Sequence, residues 1–280
     1  MGLLRTIHPV LEHINYSETS SKLTLNLISL VFSISLYIMS GVLSTMSSTY
    51  TNLTTKEQMF WKSAIVRSFY GFFCAIFCTW GMLFDNELET NLIFNTSPET
   101  FVLCFVTFGF FIFECLVLTI SDIRYKKFST LLQIHHWMSL FVCMHAVTHE
   151  SLYFFSYRFL ILEMSAPLTT VCWILLKAGK GHTVFWKINQ FLLVHVFHLR
   201  SFFEFSLCYY TFIKYRDVLI LELSTLTLVL GYTHLILLTF VLTPYWTYKK
   251  TIQLLEPKDF EFSESERTRQ TNGHAGKKRL

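Results

Sequence analysis

The sequence predicts an all-α polytopic membrane protein of about seven transmembrane helices, and three observations carry that expectation. Apolar runs of bilayer-crossing length recur along the 280 residues, and hydrophobic side chains make up 52% of the chain against 15% charged, a balance that would keep no soluble domain of this size in solution. Basic residues come in short clusters between the runs, so the formal charge of +4 reflects loop asymmetry across a membrane and not a nucleic-acid surface. Some of the polar groups inside the runs are ionisable, which in hydrocarbon marks a functional interior by default.

Residues 1 to 21 are mixed and polar, without the basic and apolar regions or the small-residue cleavage site of a removable signal peptide, so the first span is expected to act as the signal. That span covers 22 to 46, where Gly41 and several serines permit close helix approach. A second span runs from 61 to 84 with Arg67 in its first turns, placed to snorkel to the interface. Residues 85 to 99 hold four acids and no base, and Asn95 opens a glycosylation acceptor, as Asn15 does upstream; the connection reads as lumenal.

The third span, 100 to 121, carries Glu114 near its middle and ends in a basic loop, 122 to 127, assigned to the cytosol. The fourth, 129 to 150, places His135 and His136 well inside the bilayer. Successive helical residues point about 100° apart, so one imidazole can line a cavity while the other bonds a neighbouring helix. The fifth, 152 to 177, contains Arg158, Glu163, Ser165 and Pro167. Proline lacks an N–H and its ring displaces the carbonyl four residues back, so a kink is expected where Glu163 projects. After a basic loop, the sixth span, 185 to 212, sets His195 and His198 three apart on one face and Arg200 and Glu204 four apart on another. The seventh, 218 to 245, has Glu222 near its start and His234 deep within it, where a satisfied core histidine is the expectation.

This order places the N-terminus in the lumen and the C-terminus in the cytosol; the loop 213 to 217, with Lys214 and Arg216, is the exception to the charge rule, and five or six spans are the alternatives if 152 to 177 or 186 to 212 divide differently. Three divisions follow: 1 to 54 with the first helix, 55 to 250 as the main domain, and a cytosolic tail, 251 to 280, with the chain expected to be polar and flexible from about Lys249. The seven cysteines all fall in apolar runs without metal-ligand spacing, so they read as small core residues and no metal is expected. The tail ends Lys277-Lys278-Arg279-Leu280. Lysines three and four positions from a cytosolic carboxyl end form a dilysine address read by the retrograde coat, which predicts an endoplasmic-reticulum membrane protein cycling through the intermediate compartment.

The runs FFIFE (110 to 114), IHH (134 to 136) and LEMSAP (162 to 167) resemble the TLC-domain family, which takes in translocating-chain-associating proteins, ceramide synthases and the ceroid-lipofuscinosis neuronal type 8 group. LLKAG (175 to 179), FWKINQ (185 to 190), HVFHLR (195 to 200), TPYWTYKKTIQLLEP (243 to 257) and the terminal KKRL are similar to the last of these groups. The resemblance implies a helix bundle around a central lipid-facing cavity and a part in lipid homeostasis and export of lysosomal enzymes. Ceramide synthases follow their histidine pair with a His-Asp and a further Asp. Here one acid, Glu163, stands at that place, which argues against ceramide synthesis.

Two readings follow. In the first the chain is an intramembrane lipid acyltransferase, with His135 or His136 as base or acyl carrier and Glu163 orienting the ring. Glu114, Arg158, His195 and His198 would contact the lipid headgroup, and a thioester such as acyl-CoA or a phospholipid would supply the acyl chain, with no other cofactor. In the second the chain is a non-catalytic lipid-sensing receptor that carries lysosomal enzymes as cargo, a reading that its short lumenal loops weaken.

Overall fold

The computed structural model describes residues 11–16, 18–84, 91–260 and 262, and no strand occurs among them. Helices α1 (Thr19–Ser44), α2 (Thr55–Phe84), α3 (Pro98–Tyr125) and α4 (Thr130–His149) are followed by a broken rod: α5 (Tyr153–Leu160), a 3-10 turn (Ile161–Met164) and α6 (Ser165–Lys177). Helix α7 (Val184–Tyr209) ends in a π-helical turn (Tyr210–Lys214), and the short α8 (Arg216–Glu222) leads to α9 (Thr225–Leu237), a second π-helical turn (Leu238–Leu242) and α10 (Thr243–Leu255).

Contacts at the two ends fix an up-and-down order. At one end the Leu152 N–H donates to the Ile93 carbonyl at 2.7 Å and Lys22 pairs with Glu150. At the other, Asp122 accepts from the Ser129 N–H at 3.0 Å and the Gln133 amide at 2.9 Å, and Lys177 meets Glu57 at 2.6 Å. The latter end carries the basic loops.

Among the described residues six helical stretches, not seven, are long and apolar enough to cross a membrane. The remaining rod is α4. Its 20 residues rise about 30 Å, enough to span, but its histidines lower its hydropathy. It packs between α3 and α9, so those polar groups meet protein.

Helix α2 starts at Thr55, six residues before the expected boundary, because Thr54 and Glu57 form a capping box: the Thr54 N–H donates to Glu57 at 2.8 Å and the Glu57 N–H to Thr54 Oγ1 at 3.4 Å. The expected seventh span is divided. Ser224 caps α9, accepting from the Thr227 N–H at 3.2 Å, so Glu222 belongs to the separate α8 and the apolar rod begins at Thr225. That rod runs to Leu255, which brings Lys249 and Lys250 into a helix and not a flexible tail. Beyond it Asp259 also pairs with Lys177, and Phe262 sits edge-on to Phe60 at 5.5 Å and beside Trp173 at 6.0 Å, so the tail's first residues are docked. Lys277 and Lys278 lie outside the described residues.

Serines 29, 33 and 40 form the buried face of α1, and Ser29 Oγ donates to the Val106 carbonyl of α3 at 2.6 Å. The expected kink is the 3-10 turn before Pro167, and α2 reaches it through Gly71. A Cβ there would lie 2.6 Å from the Glu163 carbonyl oxygen and 2.8 Å from Pro167 Cδ. Gly71→Ala is therefore expected to push α2 off the kink and destabilise the bundle by about 2–3 kcal/mol, read as a lower midpoint of thermal unfolding. An unchanged midpoint would mean that the approach is looser than described.

Candidate functional site

Three helices bring ionisable groups to one depth. Glu114 on α3 is fully buried, and Arg67 on α2 turns inward to it, its Nε donating to Glu114 Oε2 at 2.7 Å. The expectation that Arg67 snorkels to the interface is overturned, because a buried carboxylate within reach offers the guanidinium a charged partner. His136 of α4 lies on the same carboxylate, Nε2 to Oε2 3.9 Å. Its neighbour His135, ring centroids 5.0 Å apart, faces away from α3 toward His234 of α9 at 5.8 Å and Trp246 of α10 at 5.4 Å. The 100° offset of successive residues thus divides the pair between two helix interfaces. One turn along α4, Ser139 Oγ lies 3.2 Å from His234 Nε2.

Glu163 projects from the 3-10 turn into a cavity of about 140 Å³, whose other polar lining groups include Thr107, Ser139 and His234. Its carboxylate makes no hydrogen bond among the described residues, and its charged neighbours are Arg200, Glu114 and Arg67. The rest of the wall is largely apolar: Phe111, Phe155, Phe159, Leu160, Leu207 and Leu235 among others. Along α4 the wall runs from Ser139 past Cys143 to Ala146, and along α9 from His234 back to Thr227, each about 10 Å of helix rise. The cavity is an apolar slot with a polar floor near the middle of the bundle.

Arg200 of α7 closes the floor from the far side. Its Nη1 donates to the Leu162 carbonyl and to Ser165 Oγ, both at 2.9 Å, and Nη2 lies 3.9 Å from Glu204, which accepts from Thr243 Oγ1 at 2.6 Å. Around this floor several buried atoms lack a hydrogen-bond partner among the described residues: Glu114 Oε1, the Nδ1 atoms of His135, His136 and His234, Arg200 Nε and Glu204 Oε2. Buried polar groups are normally satisfied; such a concentration suits a polar ligand. Among the described residues no three His, Cys, Asp or Glu side chains are grouped to hold a metal ion. Cys104 and Cys143 are free thiols in the cavity wall.

Four expected headgroup contacts fare differently. Glu114 belongs to the cluster. Arg158 instead lies over Phe154, 3.6 Å from ring centre to guanidinium carbon, and donates to the Phe154 carbonyl at 3.0 Å and to the Tyr157 hydroxyl; the cations near Glu163 are Arg200 and Arg67. His195 and His198 are exposed on the outer face of α7, outside the chamber. Arg200 and Glu204 occupy the inward face, and the two sets cannot share it, since five residues turn the helix by about 140° net. Sequence reasoning missed His234, Arg200 and Trp246. An ionisable residue deep in an apolar run was the available signal for His234, the same one that singled out His135.

Comparison with known proteins gives a consistent set of likenesses. The family model of the TLC domain, named for TRAM, LAG1 and CLN8, matches residues 60–250. Protein CLN8 of Rattus norvegicus is 33% identical, with 97% of this chain and 97% of the relative covered, and Protein CLN8 of Homo sapiens is 31% identical over 93% and 92%. TLC domain-containing protein 4-B of Xenopus laevis is 25% identical over 51% of this chain and 54% of its own. No solved structure matches.

Proposed function

Since the chain belongs to the TLC-domain family, we propose that it is an endoplasmic-reticulum lipid acyltransferase that works inside the bilayer. The observation that carries this reading is the slot itself: apolar walls for one acyl chain, ending at a floor lined by Ser139, Glu163 and His234, with His135 packed behind His234 at 5.8 Å and His136 next to His135 at 5.0 Å, outside the lining. His136, backed by Glu114 at 3.9 Å, is the general base, the carboxylate favouring the imidazolium that forms. Glu163 accepts a hydrogen bond from a second N–H or a neighbouring hydroxyl of the acceptor, which leaves the reacting proton to His136 and holds the nucleophile over the acyl carbon.

The step balances without redox chemistry. The acceptor gives its proton to His136 and bonds to the acyl carbonyl carbon of a thioester or phospholipid ester. The bond from that carbon to sulfur or oxygen breaks, and the imidazolium returns the proton to the departing thiol or lysolipid. The terminal Lys277 and Lys278 serve as the retrieval address that keeps the protein cycling between endoplasmic reticulum and Golgi. The lipid acted on links the protein to lysosome function.

Full-length protein in lipid vesicles, supplied with labelled acyl donors and acceptors, tests this reading: acyl transfer is expected. Lipid binding without turnover of any donor, together with capture of lysosomal enzymes, would favour the receptor reading. The cavity provides a second handle. Gly231 lies on its wall, and a Cβ added there meets no atom within 4 Å. Gly231→Leu is expected to fold normally, since helix propensity improves, while the acyl length preferred shortens by a few carbons. An unchanged chain-length profile would place the acyl chain elsewhere.

A further inference from the structure

His195 and His198 lie about 16 and 21 Å along a helix about 39 Å long, at mid-bilayer depth, and both are exposed. Imidazoles facing hydrocarbon there are costly unless something covers them. Their surroundings form a seam. Ile188, Phe191, His195, His198, Phe202 and Phe205 are all exposed, and their spacing alternates three and four residues, the a/d repeat by which two helices interlock side chains. The opposite face of α7 packs against α6 and α10, and Phe185, Leu192 and Leu199 widen the exposed face beside the seam.

We propose that this face of α7 joins two copies of the chain in the membrane, with His195 of each copy hydrogen-bonded to His198 of the other across a two-fold axis along the bilayer normal. The tautomers fit. His195 Nδ1 is 2.8 Å from the Phe191 carbonyl, so it carries the proton and leaves Nε2 as an acceptor. His198 makes no hydrogen bond among the described residues and supplies the donor. A face with one acceptor and one donor is complementary to itself, as an isologous contact requires, whereas lipid tails offer neither. A second copy brings His198 within about 4.5 Å of the depth of His195, less than one helical turn, by symmetry.

Differently labelled full-length copies, reconstituted together in phosphatidylcholine vesicles over a range of protein-to-lipid ratios, test the proposal by energy transfer and disulfide trapping. Phe202→Cys on the seam is expected to form disulfide dimers above the wild-type baseline. Phe32→Cys, equally lipid-exposed on α1, is expected to form none. The double replacement His195→Leu/His198→Leu keeps the span apolar and is expected to weaken association roughly tenfold, as for two interhelical hydrogen bonds of ordinary strength. Monomers at every ratio, equal trapping at both cysteines, or association unaltered by the double replacement would each overturn the proposal.

Discussion

His136→Ala is expected to abolish acyl transfer, by roughly 10²–10⁴-fold in turnover, the usual worth of a positioned general base. The bundle should survive, because Glu114 keeps Arg67 at 2.7 Å and loses only a more distant neighbour at 3.9 Å. Glu163→Gln separates the two roles assigned here. It preserves shape and removes the carboxylate, so acceptor binding weakens and turnover falls, while acyl-donor binding in the slot stays. His135→Ala should be milder, since that ring faces His234 and Trp246. Turnover in labelled-donor assays, read beside thermal unfolding, checks all three. Full activity in His136→Ala would remove this residue from the chemistry.

The second large effect concerns stability. Arg67→Met strands the Glu114 carboxylate, whose side chain is 1% exposed, and is expected to cost about 3–5 kcal/mol, the range for breaking a buried ion pair. Glu114→Leu should cost less. The Arg67 side chain is 19% exposed and can turn its head toward a wetter place. The double replacement Arg67→Met/Glu114→Leu should recover most of the loss, because two apolar side chains of similar volume leave no stranded charge. Unfolding midpoints in one detergent measure this cycle. Losses that simply add would show that the two charges do not interact.

How far the sequence revealed these features depended on what kind of physics each one rests on. Glu114, His135, His136 and Glu163 were legible because an ionisable side chain in an apolar run carries its own signal. Pro167 likewise announced the 3-10 turn. Helical phase was not legible. His195/His198 and Arg200/Glu204 are both plausible inward pairs on α7, and only packing against α6 and α10 decides that the arginine and glutamate face in. The division between α8 and α9 also escaped, because it has neither glycine nor proline and rests on a Ser224–Thr227 cap within a leucine-rich run. The inward turn of Arg67 required knowing that α2 and α3 are neighbours, which no local pattern states.

The most direct measurement of the central claim uses acyl lipids carrying a photoactivated carbene source at one of two places, next to the carbonyl or at the far end of the chain. With the carbonyl on the polar floor, the first probe is expected to label peptides containing Ser139, Glu163 or His234. The second should label those near Ala146, Thr227 and Leu219, which line the other end of the slot. Labelling confined to lipid-facing residues such as Leu27 and Phe32 of α1, alike for both probes, would contradict an acyl chain seated inside the bundle.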